Sequence, residues 1–226
     1  MQIVILAAGR GTRMNELTDD VPKPMLEING KPILAYKLEA LPAEIKEVIF
    51  VIGYLGNQIQ QYFGDSYAGK KISYVVQEQL NGTGGAVHLV KDLVVDDFLV
   101  MMGDDLYVKG DIENCMKNDL AVLGFEVNNP NKFGIILSDE NKNLLKIIEK
   151  PKMAGPALAN IGLYKLNKNF FDYPLVSIGN GEYGLPQTLA LMTKDYQVKV
   201  EKTIDWFPIG NPADLEKVKT EIGRFI

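Results

Sequence analysis

The chain has one cysteine, one histidine and no excess of positive charge, and each scarcity closes off a class of function. A lone Cys115 permits no internal disulfide and fits a reducing compartment. His88 is the only histidine and lies far from Cys115 in sequence, so no His/Cys metal cluster can form and both read as packing residues. The formal net charge is −5, whereas a nucleic-acid surface wants a basic stripe. Small phosphate-bearing substrates are not excluded, because local loops rather than net charge hold them. No apolar stretch approaches the roughly 20 residues of a membrane span, and Gln2 onward reads as a strand rather than a charged leader. Repeats, low-complexity tracts and linkers are lacking too. Hydrophobic residues at 46% and charged residues at 23% are ordinary globular values, so the expectation is one cytoplasmic α/β domain over residues 1–226.

What is present begins with Ile5-Leu6-Ala7-Ala8-Gly9-Arg10-Gly11-Thr12-Arg13-Met14, followed by Pro22-Lys23-Pro24-Met25. Val4 to Ala7 read as a buried strand, since four apolar residues run without polar alternation into glycine. Gly9 and Gly11 let the backbone approach a ligand and turn N–H groups toward phosphate oxygens. Arg10, Arg13 and Lys23 add positive charge to the same loop. A dinucleotide fingerprint is excluded, because Met14 stands where its third glycine belongs. The prolines forbid a regular helix over Thr18–Pro24, and no Gly-Lys-Ser/Thr follows to make a P-loop. The chemistry suggested is nucleoside triphosphate handling.

Strand and helix signals alternate through the first half. Lys31-Pro32 opens an amphipathic helix to about Leu41; strands follow at Glu47–Gly53, Lys71–Gln77 and Phe98–Met102, with helices at Leu55–Phe63 and Gly84–Leu93. This predicts a Rossmann-like, mostly parallel sheet flanked by helices, with ligands beyond the carboxyl ends of its strands. In the second half, Phe133–Leu137 and Leu144–Lys150 read as a hairpin, Ala159–Leu166 and Tyr196–Thr203 as strands, and Gly184–Lys194 as helix. Leu145, Ile147 and Glu149 share a face by period-two spacing, which aims Glu149 into apolar surroundings. Asn211 caps the last helix and Pro212 suits its first turn. The expectation is one half over about 1–110 built on the parallel sheet and a smaller β lobe over about 111–226.

Two further segments carry chemistry. Gln77-Glu78-Gln79-Leu80-Asn81-Gly82-Thr83-Gly84-Gly85 is a second glycine-rich loop between strand and helix; taken alone it is a turn with Thr83 as cap. Asp104, closing the apolar run Phe98–Met102, is either a turn acid or a magnesium ligand shared with substrate phosphates.

With both opening motifs in order, the chain resembles the sugar-1-phosphate nucleotidylyltransferases, and the likeness extends over nearly its whole length. The resemblance implies transfer of a nucleoside monophosphate from an NTP, most simply UTP or dTTP, to a sugar 1-phosphate. GTP-using guanylyltransferases of mannose or heptose phosphates are alternatives, as are a catalytically silent nucleotide-sugar-binding module and transfer to a non-sugar alcohol phosphate. It implies Arg13 and Lys23 as the charge-stabilising pair, and nucleotide contacts along Leu6, Ala7, Ala8, Gly9, Gly11 and Thr12. Gln77, Gly82 and Thr83 attend the base, and Asp104 holds magnesium. Glu149 takes sugar hydroxyls, Lys150 the sugar phosphate, and Gly134 and Asn160 match sugar-contact positions, which makes residues 1–110 the nucleotide-binding half and the β lobe the sugar-binding one. One departure stands out: many relatives carry Trp-x-Asp-x-Gly where this chain has Trp206-Phe207-Pro208-Ile209-Gly210. Proline cannot ligate a metal, which leaves Asp205 as the substitute candidate. The chain ends soon after its capped helix, so no appended β-helical acyltransferase domain is expected. Small-molecule substrates are the only partners implied, with no nucleic acid and no membrane; neither the sugar, the base nor the oligomeric state is fixed.

Overall fold

The computed structural model describes residues 1–225. Strand β1 (Gln2–Ala7) lies inside the main sheet. Its alternate residues Ile3, Ile5 and Ala7 enter one core cluster while Val4 enters the other. Burial on both faces is why the run is apolar throughout. Short 3-10 segments at Thr12–Thr18 and Lys23–Met25 then carry the proline-bearing loop, in place of a regular helix. A small antiparallel pair, β2 (Glu27–Ile28) and β3 (Lys31–Pro32), leads into α1 (Ile33–Ala40). After it come β4 (Glu47–Ile52), α2 (Gly56–Phe63), β5 (Ser66–Tyr67), β6 (Lys70–Val76), α3 (Gly82–His88) and β7 (Phe98–Met102). Strands β7, β1, β4 and β6 pair in that order, all parallel.

The second half adds β8 (Asp105–Tyr107), α4 (Lys109–Met116), β9 (Ala121–Val127), β10 (Gly134–Ser138), β11 (Leu144–Glu149) and β12 (Ala157–Leu166). The last elements are β13 (Ser177–Gly179), β14 (Glu182–Tyr183), α5 (Leu185–Met192), β15 (Lys199–Lys202), β16 (Trp206–Pro208) and α6 (Pro212–Glu221). Strand β12 joins β7 antiparallel and carries β10, β11, β9 and β15 into one mixed sheet of ten strands. No helix among the described residues is long and apolar enough to cross a membrane. A third cluster, including Met14, Ile28, Tyr36, Phe207, Leu215 and Phe225, ties the opening loop to the C-terminal helix.

Three expectations are corrected. Helix α1 is not amphipathic: seven of its eight residues are buried. Leu34 and Leu38 face the sheet while Ile33 and Tyr36 face the C-terminal cluster, so no flank is left for solvent, and Lys37 is carried inside with them. Helix α3 ends at His88, short of Leu93. In β11 the pairing with β10 skips Leu145. Such a bulge shifts the side-chain alternation by one residue. Leu144 and Ile147 are therefore buried while Leu145 is exposed. Glu149 keeps the face of Ile147 but lies exposed at the end of the strand.

Helix α6 starts with a capping box: the Asn211 side chain accepts from the Asp214 amide, and the Asp214 carboxylate accepts from the Asn211 amide. Removing such a cap costs about 1 kcal/mol. Asn211→Ala should lower the melting temperature by roughly 2–4 °C for a chain of this size, and a thermal melt that does not move would show the box to be redundant.

Candidate active site

The site is assembled where the parallel strands end. Gly53 and Gly103, just past β4 and β7, flank the end of β1: a Cβ on Gly53 would lie 2.8 Å from the Ala8 carbonyl oxygen, and one on Gly103 2.8 Å from that of Leu6. The chain then turns through Gly9 to Gly11, which sits in the left-handed region (φ +68) with its Cα hydrogen facing the Lys23 side chain, 2.8 Å from where a Cβ would stand. Gly11 presents its carbonyl to the Met14 amide and the Thr18 hydroxyl, closing the loop. Lys23 lies between two prolines, and its buried ammonium reaches Asp104 Oδ2 at 2.5 Å. The Asp104 side chain remains about a third exposed, at 32%.

These groups wall a cavity of about 400 Å³. Every residue assigned by the resemblance to the nucleotide end lines it: Leu6, Ala7, Ala8, Gly9, Gly11, Thr12, Arg13, Lys23, Gln77, Gly82, Thr83 and Asp104. Arg10 does not; its guanidinium lies over the Tyr54 ring, 5.1 Å from the centroid. Gln77 is buried and donates through Nε2 to Asn81 Oδ1 (2.9 Å) and the Gly82 carbonyl (3.2 Å). Its amide oxygen is the atom left to accept from a ligand.

The second glycine loop is also a seat. Gly82 has φ +87, and a Cβ there would fall 2.5 Å from the Tyr183 carbonyl oxygen. The Tyr183 amide donates to Asn81 O at 2.8 Å. Thr83 caps a different helix from the one expected: α3 is capped at Asn81, and the Thr83 hydroxyl accepts from the Leu185 amide, the first residue of α5. The β13–β14 hairpin is thereby fastened to the loop, and its Glu182 joins the cavity wall.

The four residues that the resemblance assigns to the sugar phosphate gather separately. Gly134 and Glu149 are register partners, and a Cβ on Gly134 would lie 2.9 Å from Glu149 Oε2 and 4.0 Å from Asn160 Cβ. The Lys150 ammonium is 3.7 Å from Glu149 Oε1. Asn160 donates to the Tyr164 hydroxyl at 2.7 Å and accepts from the Gly162 amide at 3.2 Å. None of the four lines the cavity. Gly162 makes the connection, since a Cβ there would meet Met102, which does line it.

Asp205 is not brought to Asp104. Its carboxylate pairs with Arg224 at 2.5 Å. Strand β16 pairs with β8 so that Pro208, not Asp205, faces Asp105. Asp205 lies three residues back, roughly 10 Å along an extended chain. The sequence reading also missed what lies beneath Asp104. Lys37, 4% exposed, donates to the Asp105 carbonyl and lies 4.5 Å from the centroid of the Tyr107 ring. Asp105 Oδ2 accepts from Trp206 Nε1 at 3.3 Å. Burial holds the Lys37 amine below the usual lysine range and pushes the Asp105 carboxyl above the usual aspartate range.

Gly82→Ala should destabilise the chain by about 1–3 kcal/mol, because it adds left-handed strain and a clash with backbone that cannot move without unseating the hairpin. Denaturant unfolding measures this; an unchanged midpoint would mean the hairpin is free to lift.

The sequence pattern of the nucleotidyl transferase family matches residues 2–224. The bifunctional protein GlmU of Methanocaldococcus jannaschii is 34% identical over 98% of this chain and 56% of its own. The chain thus spans about half the length of that relative and of similar ones. The UTP–glucose-1-phosphate uridylyltransferase AglF of Haloferax volcanii is 31% identical, covering 98% of this chain and 96% of that one. Among solved structures, HddC of Yersinia pseudotuberculosis matches with a TM-score of 0.77 at 28% identity, over 97% of this chain and 98% of its own. A second structure of that protein holds GMP-PN. By pattern, by end-to-end similarity and by fold, this chain belongs to the nucleotidyl transferase family.

Proposed function

We propose that this protein transfers a nucleoside monophosphate from an NTP to a sugar 1-phosphate, forming an NDP-sugar and releasing pyrophosphate. The observation that carries the reading is the Lys23–Asp104 pair, set in the wall of a cavity between two glycine-rich loops. A sugar phosphate oxygen attacks the α-phosphorus as the bond to the β-phosphate oxygen breaks, and pyrophosphate leaves. No activated nucleophile is required, so catalysis rests on positioning and on stabilising charge. Lys23 and Arg13 offset the charge of the triphosphate and of the departing pyrophosphate. Backbone N–H groups around Gly9 and Gly11 cradle phosphate oxygens. Gln77 and Gly82 read the base edge. Glu149 and Asn160 hold sugar hydroxyls, and Lys150 holds the incoming phosphate. The first 110 residues serve the nucleotide and the remainder the sugar, with Glu182 reaching back from the second half.

The donor set at Asp104 fits magnesium in a limited way. Among the described residues no three acids, histidines or cysteines cluster to hold a metal, and Pro208 has no ligand atom in its side chain. One carboxylate suits a magnesium ion that keeps several waters and shares phosphate oxygens. Bound there, magnesium supplies charge neutralisation at the phosphates. Lys23 is already within hydrogen-bond reach of the same carboxylate, so the ammonium is poised beside the phosphates.

Similarity to AglF, whose name carries UTP, supports UTP as the donor, with dTTP the other pyrimidine choice; the GMP-PN complex of HddC favours GTP as the second reading. A cytoplasmic setting agrees with the single cysteine. A matrix of UTP, dTTP, GTP, CTP and ATP against common hexose and heptose 1-phosphates, read by pyrophosphate release, tests the proposal. Binding without release in every pair would make the protein a nucleotide-sugar-binding module instead.

Lys23→Ala should lower kcat by about two orders of magnitude or more with the fold retained, since a charge stabiliser of this kind is worth about 3 kcal/mol in the transition state. Normal turnover in the folded variant would remove Lys23 from the mechanism. Gln77→Ala should blur preference among NTPs and leave sugar preference intact, while Glu149→Ala does the converse, because unpaired polar groups in a built site cost discrimination. Steady-state constants for both substrates decide it; both variants altering the same substrate's KM alone would break the two-ended assignment.

A further inference from the structure

Lys37 is a buried lysine that the reaction above does not use. Its hydrogen bond goes to a backbone carbonyl, that of Asp105, rather than to a carboxylate. Burying an ammonium is costly, and an apolar side chain of similar volume commonly gives a more stable protein. The neighbours in α1 are apolar, so packing alone does not call for a charge at this position.

What Lys37 does touch is the strand that continues from the cavity wall at Asp104. The carbonyl it holds belongs to the residue after Asp104, at the first position of β8. The same residue's carboxylate takes the Trp206 indole N–H from β16. Tyr107, over whose ring the Lys37 ammonium lies, donates its hydroxyl to the Ile161 carbonyl at 2.8 Å, one residue from Asn160. Three elements, α1, β8 and β16, are thus pinned at Asp105, and the fourth, β12, is reached through Tyr107.

We propose that Lys37 is a positioning residue for nucleotidyl transfer: its buried ammonium fixes the Asp105 backbone from beneath, so that Asp104 is presented to the cavity and to Lys23 in one orientation. This rests on the reading of Asp104 as the metal-holding acid, and it deepens that reading by naming what orients the acid. Lys37 touches neither substrate. Its removal should leave nucleotide capture by the glycine-rich loops intact and damage only what depends on where Asp104 points.

Lys37→Met keeps the length of the side chain and removes the ammonium. The full-length variant is compared with wild type and with Asp104→Asn, using the best substrate pair from the matrix. Readouts are circular dichroism, kcat and KM, and Mn²⁺ affinity by electron paramagnetic resonance with a non-hydrolysable analogue of the same NTP. The expected result is a folded protein with KM for NTP within about twofold of wild type, kcat lower by roughly tenfold or more, and Mn²⁺ affinity lower by about fivefold or more, the signature of a lost transition-state interaction. A folded Lys37→Met with wild-type kcat and Mn²⁺ affinity overturns the proposal, and so does a KM for NTP that rises in step with the loss of kcat. If Lys37→Met fails to fold, the Lys37→Met/Asp105→Asn double variant removes both buried charges while keeping an acceptor for Trp206. Weak Mn²⁺ binding in the folded double variant supports the proposal, and wild-type binding overturns it. Full Mn²⁺ affinity in Asp104→Asn would instead overturn the underlying reading of Asp104, an outcome distinct from the failure of Lys37 alone.

Discussion

The cavity in this molecule depends on how closely two backbones approach the end of β1. Gly103 donates its amide to the Leu6 carbonyl at 2.9 Å, and Tyr54, just after Gly53, donates to the Ala8 carbonyl at 3.1 Å. On both sides the neighbouring strand offers a glycine at the level where β1 gives out, so Leu6–Ala8 is gripped without side chains in the way. The chain is then released to turn at Gly9, in the crevice that parallel sheets open beyond their carboxyl ends. Held there, the loop brings Lys23 across to Asp104, which leaves the sheet just after β7. A side chain at position 53 or 103 would have to push against the β1 backbone, and the two halves of the charge pair would no longer start from fixed points.

Much of this was legible in the sequence because it is written in local chemistry. Glycines and prolines around Gly9–Pro24 declare a loop, the uninterrupted apolar runs at Val4–Ala7 and Phe98–Met102 declare buried parallel strands, and Asn211-Pro212 declares a helix start. The misreadings have a common cause in tertiary contact. Helix α1 was expected to keep a wet face, but a third cluster built from the distant C-terminal helix covers it. Leu145 was assigned the face of Ile147 by strict alternation, and a bulge at Leu145 breaks that alternation. Thr83, a cap of its own helix when the loop is taken alone, instead accepts from the first amide of α5, a hundred residues on. Lys37 escaped notice because one lysine in an apolar stretch carries no mark of burial; only the Asp104–Asp105 doublet hinted that charge would need balancing nearby.

Lys23, Asp104, Asp105 and Lys37 run cation, acid, acid, cation from the cavity wall inward. Two groups of each sign balance one another formally. Lys23 and Asp104 meet the cavity, while Asp105 and Lys37 lie behind it, desolvated.

Trp206 adds a different kind of consequence. It is the only tryptophan in the chain, with its indole N–H on Asp105 and its ring against Phe125 and Phe133, at centroid distances of 6.0 and 5.7 Å. Phe133 immediately precedes Gly134, so one indole touches both Asp105 and the start of the β10–β11 hairpin. Excited at wavelengths too long for tyrosine, the protein therefore emits from one fluorophore, placed where β8, β10 and β16 meet.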